Sequence, residues 1–213
     1  LNSLKGLLSR KNDVPSPTVI SLGTGAWVDI MIGNIDADSP TGGFAVAEHT
    51  MPSVGGSFRV MQAASRIGAA TKHAGVIGNG PWASLIRKAL NDNGIEHIGQ
   101  DRIDADSGFR LVLNDSERKT FVATYGAESQ GNENTFDCVE PGEGDVVHIS
   151  ANTLMDHSAS GIDASCIARF GPDERDYSIV LNPTNTLHMV SDHLLEDLVL
   201  VRPIWSCNRQ EAR

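Results

Sequence analysis

Apolar positions along this chain follow two spacings in turn, one suited to strands and one to helices. Thr18 to Gly23 is a short, continuous, β-rich apolar run, which predicts a buried strand. Residues 29–54 keep β-character but are broken by Pro40, Gly42, Gly43 and Pro52, so they predict strands outside the main core. Directly after Gly55 and Gly56 a helix is predicted, with Val60, Ala63, Ala64 and Ile67 recurring at helical spacing. A strand over 71–78 and a helix over 82–93 follow. Pro81 suits the first turn of that helix, Leu85, Ile86, Ala89 and Leu90 form its apolar stripe, and Gly94 closes it.

Residues 108–126 read as two extended runs around Asp115–Glu117. Phe109, Leu111 and Leu113 alternate with Arg110, Val112 and Asn114, the pattern of a hairpin with one face covered. The acidic, Gly-rich stretch 127–144 predicts a loop with one helical turn. A strand at 146–150, a helix near 156–170, a strand at 178–182, a helix near 191–198 and a strand at 199–202 complete the pattern. Such alternation predicts a mostly parallel sheet covered on both faces. Residues 1–17 are polar, carry Pro15 and Pro17, and predict a flexible arm ahead of one domain over 18–213.

Composition narrows the function classes. The chain has 213 residues, 40% of them hydrophobic, enough for a real core. With 17 Lys and Arg against 27 Asp and Glu, the formal charge is −10. That balance argues against a nucleic-acid surface. No apolar run approaches the roughly 20 residues that span a bilayer, and the start is too interrupted for a signal peptide. Cys138, Cys166 and Cys207 form no zinc or redox pattern and fit idle thiols in a reducing compartment. A cytoplasmic protein with a small-molecule partner, and neither nucleic acid nor membrane, is the expectation.

Several residues carry candidate chemistry, each beside a plainer reading. Gly55 and Gly56 let a polar ligand approach the backbone next to the unpaired amides of a helix start; the alternative is a tight turn without a ligand. Asp29 follows the first core strand, where a carboxylate can accept hydrogen bonds from sugar hydroxyls; the alternative is a solvated loop residue. Arg59, Gln62 and Arg66 share one helical face, a natural solvated stripe, yet Arg59 lies in the first turn beside the glycines. A guanidinium there offers a donor fork for a carboxylate or phosphate. Asn208 with Glu211 three residues on is a helix-start signature close to a capping box.

Taken in order, these segments resemble a known family. Ser-Val-Gly-Gly-Ser-Phe-Arg at 53–59 resembles the Gly-Gly signature of the ribokinase-like (PfkB) carbohydrate kinases. Residues 18–29 resemble that family's first strand, which ends in a sugar-binding Asp. Residues 74–90 resemble its next strand and helix, 107–128 its lid hairpin, and Cys207-Asn208-Arg209-Gln210-Glu211-Ala212 its Asn-x-x-Glu motif. The resemblance runs from about Thr18 to the last residue, over the N-terminal two thirds of the family.

The resemblance implies an α/β fold: a ribokinase-like three-layer sandwich with a mostly parallel central sheet and a small β-lid from strands near 30–54 and 108–126. It implies phosphorylation of a sugar hydroxyl with ATP and Mg²⁺. Substrate contacts are expected from Asp29, Gly55, Gly56, Arg59 and Ser150, the last also placed to cap a helix. Asn208 and Glu211 are expected near the metal and phosphates. A homodimer through the lid is a possible further partner. The sequence departs from the family at Gly78-Asn79-Gly80, where Asp usually follows Gly, and at Arg59, where Asn is usual. The Gly-Ala-Gly-Asp segment carrying the general base is not in the sequence, so the C-terminal part of the domain is expected to be missing and the chain as given inactive. The rival expectations are a non-catalytic sugar-binding pseudokinase or truncated module, and a nucleoside kinase of the same fold.

Overall fold

The computed structural model describes residues 17–22, 26–33, 47–114, 119–132, 134–155 and 175–212. All but the last residue of the predicted arm over 1–17, the turn around 115–117 and the helix near 156–170 lie outside them, as does Cys166.

Two sheets organise the chain. The larger contains β1 (Thr18–Ser21), β4 (Ala70–His73), β5 (Glu96–His97), β8 (Val146–Ser150), β9 (Ser178–Asn182) and β10 (Ile204–Trp205). Its order is β10-β9-β8-β1-β4-β5, and all five pairings are parallel. In β8, Val147, His148 and Ile149 are buried in succession, as expected of a parallel strand covered on both faces. Val147 and Ile149 join Ile20, Leu22, Ile179 and Leu181 in one cluster. Each such side chain contributes about 1.5–3 kcal/mol by leaving water.

The smaller sheet contains β2 (Val28–Gly33), β3 (His49–Val54), β6 (Phe109–Asn114) and β7 (Lys119–Ala123), in the order β3-β2-β6-β7. β2 pairs antiparallel with β3 and parallel with β6, and β7 closes a hairpin on β6. Its most buried position along β6 is Val112, on the Arg110 side, rather than the expected Phe109, Leu111 and Leu113 set. Arg110 on that side pairs with Asp29 of β2, while Phe109 on the other packs against the Trp82 ring.

Four helices are described: α1 (Ser57–Arg66), α2 (Pro81–Asp92), the short α3 (Ala151–Met155) and α4 (Asp192–Val201). Between β2 and the helices, Val28, Met61, Ile77, Ile86 and Leu90 form a second buried cluster.

α1 begins where expected but buries a different face. Phe58 and Met61 are inside, whereas Val60 is 40% and Ile67 87% exposed. The larger side chains take the interior, and the Val60 stripe is left outside. In α2, Pro81 is at the first position and Gly94 follows the end with φ +64°, as expected. Ile86 and Leu90 are inward and Leu85 is partly exposed. The strand expected over 71–78 ends at His73, and the chain then runs irregularly to a single bridge between Ile77 and Asp101. The strand expected at 199–202 is instead the last turn of α4, and a two-residue strand follows at Ile204–Trp205. Among the described residues no helix is long and apolar enough to cross a membrane.

Candidate substrate site

Trp27 immediately precedes β2. β2 is flanked by β3 and β6, so Asp29 lies in register with Ser53 on one side and Arg110 on the other. Neighbouring side chains in paired strands share a face, which brings Arg110 against Asp29. Arg110 Nε donates to Asp29 Oδ1 at 2.8 Å and Nη2 to Oδ2 at 3.1 Å, a bidentate pair. From the first turn of α1, Arg59 Nη2 donates to the same Oδ2 at 3.1 Å. The Asp29 side chain is 2% exposed, Arg110 29% and Arg59 63%.

Aromatic rings hold the inner arginine. The Arg110 guanidinium carbon lies 5.2 Å from the Trp27 ring centroid and 4.9 Å from that of Phe121. Both distances are in the range of cation–π attraction. Gly55 completes the packing: its N–H donates to Trp27 O at 2.9 Å, and a Cβ there would overlap Asp29 Oδ2. Gly56 follows with φ 61° and ψ −139°, a conformation other residues reach only under strain, and opens α1 without a side-chain cap. Trp27 Nε1 and Ser57 Oγ are buried here and have no hydrogen-bond partner among the described residues. Buried donors without partners are uncommon in folded proteins.

Asp29, Gly55, Gly56 and Arg59 are thus gathered at one place. Arg110, Trp27 and Phe121 join them, and sequence reasoning gave none of these three a role. The signal available was Arg110 standing alone as a charge among the apolar residues of β6. Ser150 is half-buried at the C-terminal end of β8 in the larger sheet. Asn208 and Glu211 follow β10 at the sheet's edge and form a reciprocal cap. Asn208 Oδ1 accepts from Gln210 N at 2.8 Å and Glu211 N at 3.0 Å, and Glu211 Oε2 accepts from Asn208 N at 2.9 Å. Among the described residues no cluster of His, Cys, Asp or Glu is arranged to hold a metal.

Comparison with known proteins decides the fold. No family model matches the sequence. The sugar kinase YegV of Escherichia coli K12, itself uncharacterised, is 26% identical over 162 residues, 75% of this chain and 49% of its own length. An uncharacterised sugar kinase from Pyrococcus horikoshii superposes with a TM-score of 0.62 at 16% identity, covering 86% of this chain and 58% of that one. The Xylella fastidiosa fructokinase with bound ATP gives 0.64 at 14% identity, over 87% and 59%. The nucleoside kinase of Methanocaldococcus jannaschii, described as an archaeal member of the ribokinase family, gives 0.64 at 12%, over 92% and 62%. The fold is ribokinase-like. This ribokinase-like chain spans about half the length of the curated relative.

Proposed function

We propose that this chain is the sugar-binding part of an ATP-dependent sugar kinase of the cytoplasm. The observation that carries this reading is the convergence of Asp29, the Gly55–Gly56 turn and Arg59 at the start of α1. A sugar docks against the glycine turn, over Asp29 and Arg59. The small sheet acts as the lid above it, and Ser150 supplies a polar contact from the end of β8.

ATP, when bound, supplies the phosphoryl group, and Mg²⁺ offsets its charge. The chain's own fit to the metal is partial. Both amide bonds to Asn208 Oδ1 leave that oxygen occupied, whereas Glu211 keeps one carboxylate oxygen beyond its cap bond. One carboxylate with several waters suits Mg²⁺. The described residues position the acceptor sugar; the carboxylate base that would take its hydroxyl proton is not among them.

The test is binding followed by turnover. Thermal shift of the 213-residue chain is measured with hexoses, pentoses, sugar acids, sugar phosphates and adenosine. A sugar or sugar derivative is expected to raise the melting temperature without ATP, and no ADP release is expected from this chain. Stabilisation by adenosine alone would favour the nucleoside kinase. Sugar-dependent ADP release would show that the general base is supplied from within these residues.

A further inference from the structure

The Asp29 cluster carries more positive charge than its carboxylate requires. Arg110 alone engages both Asp29 oxygens. Arg59 adds a third bond to Oδ2 through Nη2, and its other nitrogens donate to nothing among the described residues. Two guanidinium groups thus face one carboxylate, a local excess of one positive charge in a chain of net −10. The carboxylate is enclosed while Arg59 is 63% exposed, so the excess points outward. Trp27 Nε1, buried and unpartnered, faces the same point beside Gly55 as Asp29 Oδ2 does.

This arrangement is poor for a neutral sugar. A sugar hydroxyl that donates here needs a free acceptor, and Asp29 already accepts three hydrogen bonds and is 2% exposed. It is suited to an anion. The outer edge of Arg59 offers planar donors, Arg110 lies behind it, and the start of α1 adds positive potential.

We infer that the substrate is a sugar bearing an anionic oxygen group, a carboxylate or a phosphate, received by Arg59 and Arg110, with Asp29 as their resident counter-ion. This rests on the reading of the same cluster as the sugar site. Arg110 is then a specificity residue held ready by Asp29, Trp27 and Phe121, and the ligand's anion shares the guanidinium pair with Asp29.

The test uses the full chain and matched ligands: glucose against gluconate, fructose against fructose 6-phosphate, and inorganic phosphate alone. At least one anionic member of a pair is expected to bind about tenfold or more tighter than its neutral partner, the scale of one charge-assisted hydrogen bond. Preference in the gluconate pair identifies a carboxylate, and preference in the fructose pair a phosphate. Arg59→Gln is expected to remove the preference; as an exposed change it leaves the fold intact. Arg110→Gln should do the same, with Arg110→Lys as the folded control that keeps charge but loses the bidentate pair. Asp29→Asn should raise the ratio of anion to neutral-sugar affinity, which a purely structural ion pair would not do. Equal binding of neutral and anionic partners, unaffected by Arg59→Gln, overturns the inference and leaves the sugar site standing. No binding of any sugar overturns both. Inorganic phosphate bound as tightly as the phosphosugar means an adventitious ion only, and also overturns it.

Discussion

Buried polar side chains set how this protein responds to pH. His148 is buried in β8 with Nδ1 3.0 Å from Ser21 Oγ, and burial pushes its pKa down to about 4. His73 ends β4, fully enclosed, and burial together with the neighbouring His97 lowers it to about 3. His97 is lowered as well, burial outweighing the pull of Asp101. Above pH 6.5 His73 and His148 are neutral in both folded and unfolded chains and make no proton-linked difference. Below it the unfolded chain takes up protons that the folded one refuses until about pH 4 or 3. Stability is thus lost as pH falls through that window, by about 1.4 kcal/mol per pH unit for each histidine. Urea unfolding at pH 7, 6 and 5 should show this decline, and His148→Gln should flatten it. A wild-type profile level from pH 7 to 5 would contradict the burial of these rings.

Helices here are placed by what covers them more than by their own sequence. α4 shows it most clearly. Leu198-Val199-Leu200-Val201 is a continuous apolar run that suits a strand or a helix equally. Leu198 and Val201 are buried at helical spacing, while Val199 is 58% and Leu200 74% exposed. Ser191 caps the start through Leu194 N, and Arg202 ends the helix at φ 50°. Leu198→Ala should cost about 2–5 kcal/mol. Val199→Ala should stay within about 0.5 kcal/mol. A strand would instead bury Val199 with Val201, so comparable losses from Val199→Ala and Leu198→Ala in denaturant melts would reject the helix. α2 teaches a related lesson. Its start, at the unusual Gly78-Asn79-Gly80, is capped from a distance: Asp106 accepts from Trp82 N at 3.1 Å and Ala83 N at 2.9 Å. A Cβ at Gly80 would collide with that carboxylate.

At the scale of the whole molecule, exposed apolar side chains gather, among the described residues, on both sheets. One group lies at the β10 end of the large sheet, where Ile204 is 59% and Trp205 41% exposed, and on α4, where Val199 and Leu200 are exposed. The other lies on the small sheet, where Met51 is 54%, Phe121 55% and Val122 49% exposed. Exposed apolar strands and helix faces favour association. Sedimentation velocity is expected to show concentration-dependent self-association. Trp205→Lys should weaken it if copies meet at the β10 edge, and Val122→Lys if they pair through the small sheet as a lid. A single monomer boundary at high concentration would refute both.

Strands such as β8 and β9, the start of α2 at Pro81 and the glycine turn before α1 were all legible from local sequence. Each rests on short-range physics: a continuous apolar run, a fixed proline φ, glycines that tolerate unusual angles. The shared order of those segments also pointed to the ribokinase-like fold. The arginine clamp was not legible. It depends on β2 and β6, 81 positions apart at Asp29 and Arg110, lying side by side. Likewise the covered face of α1, the fate of residues 199–202 and the cap on α2 were decided by packing. Periodicity says that one side of an element is buried; only the neighbours that cover it decide which side, and which charges end up facing each other.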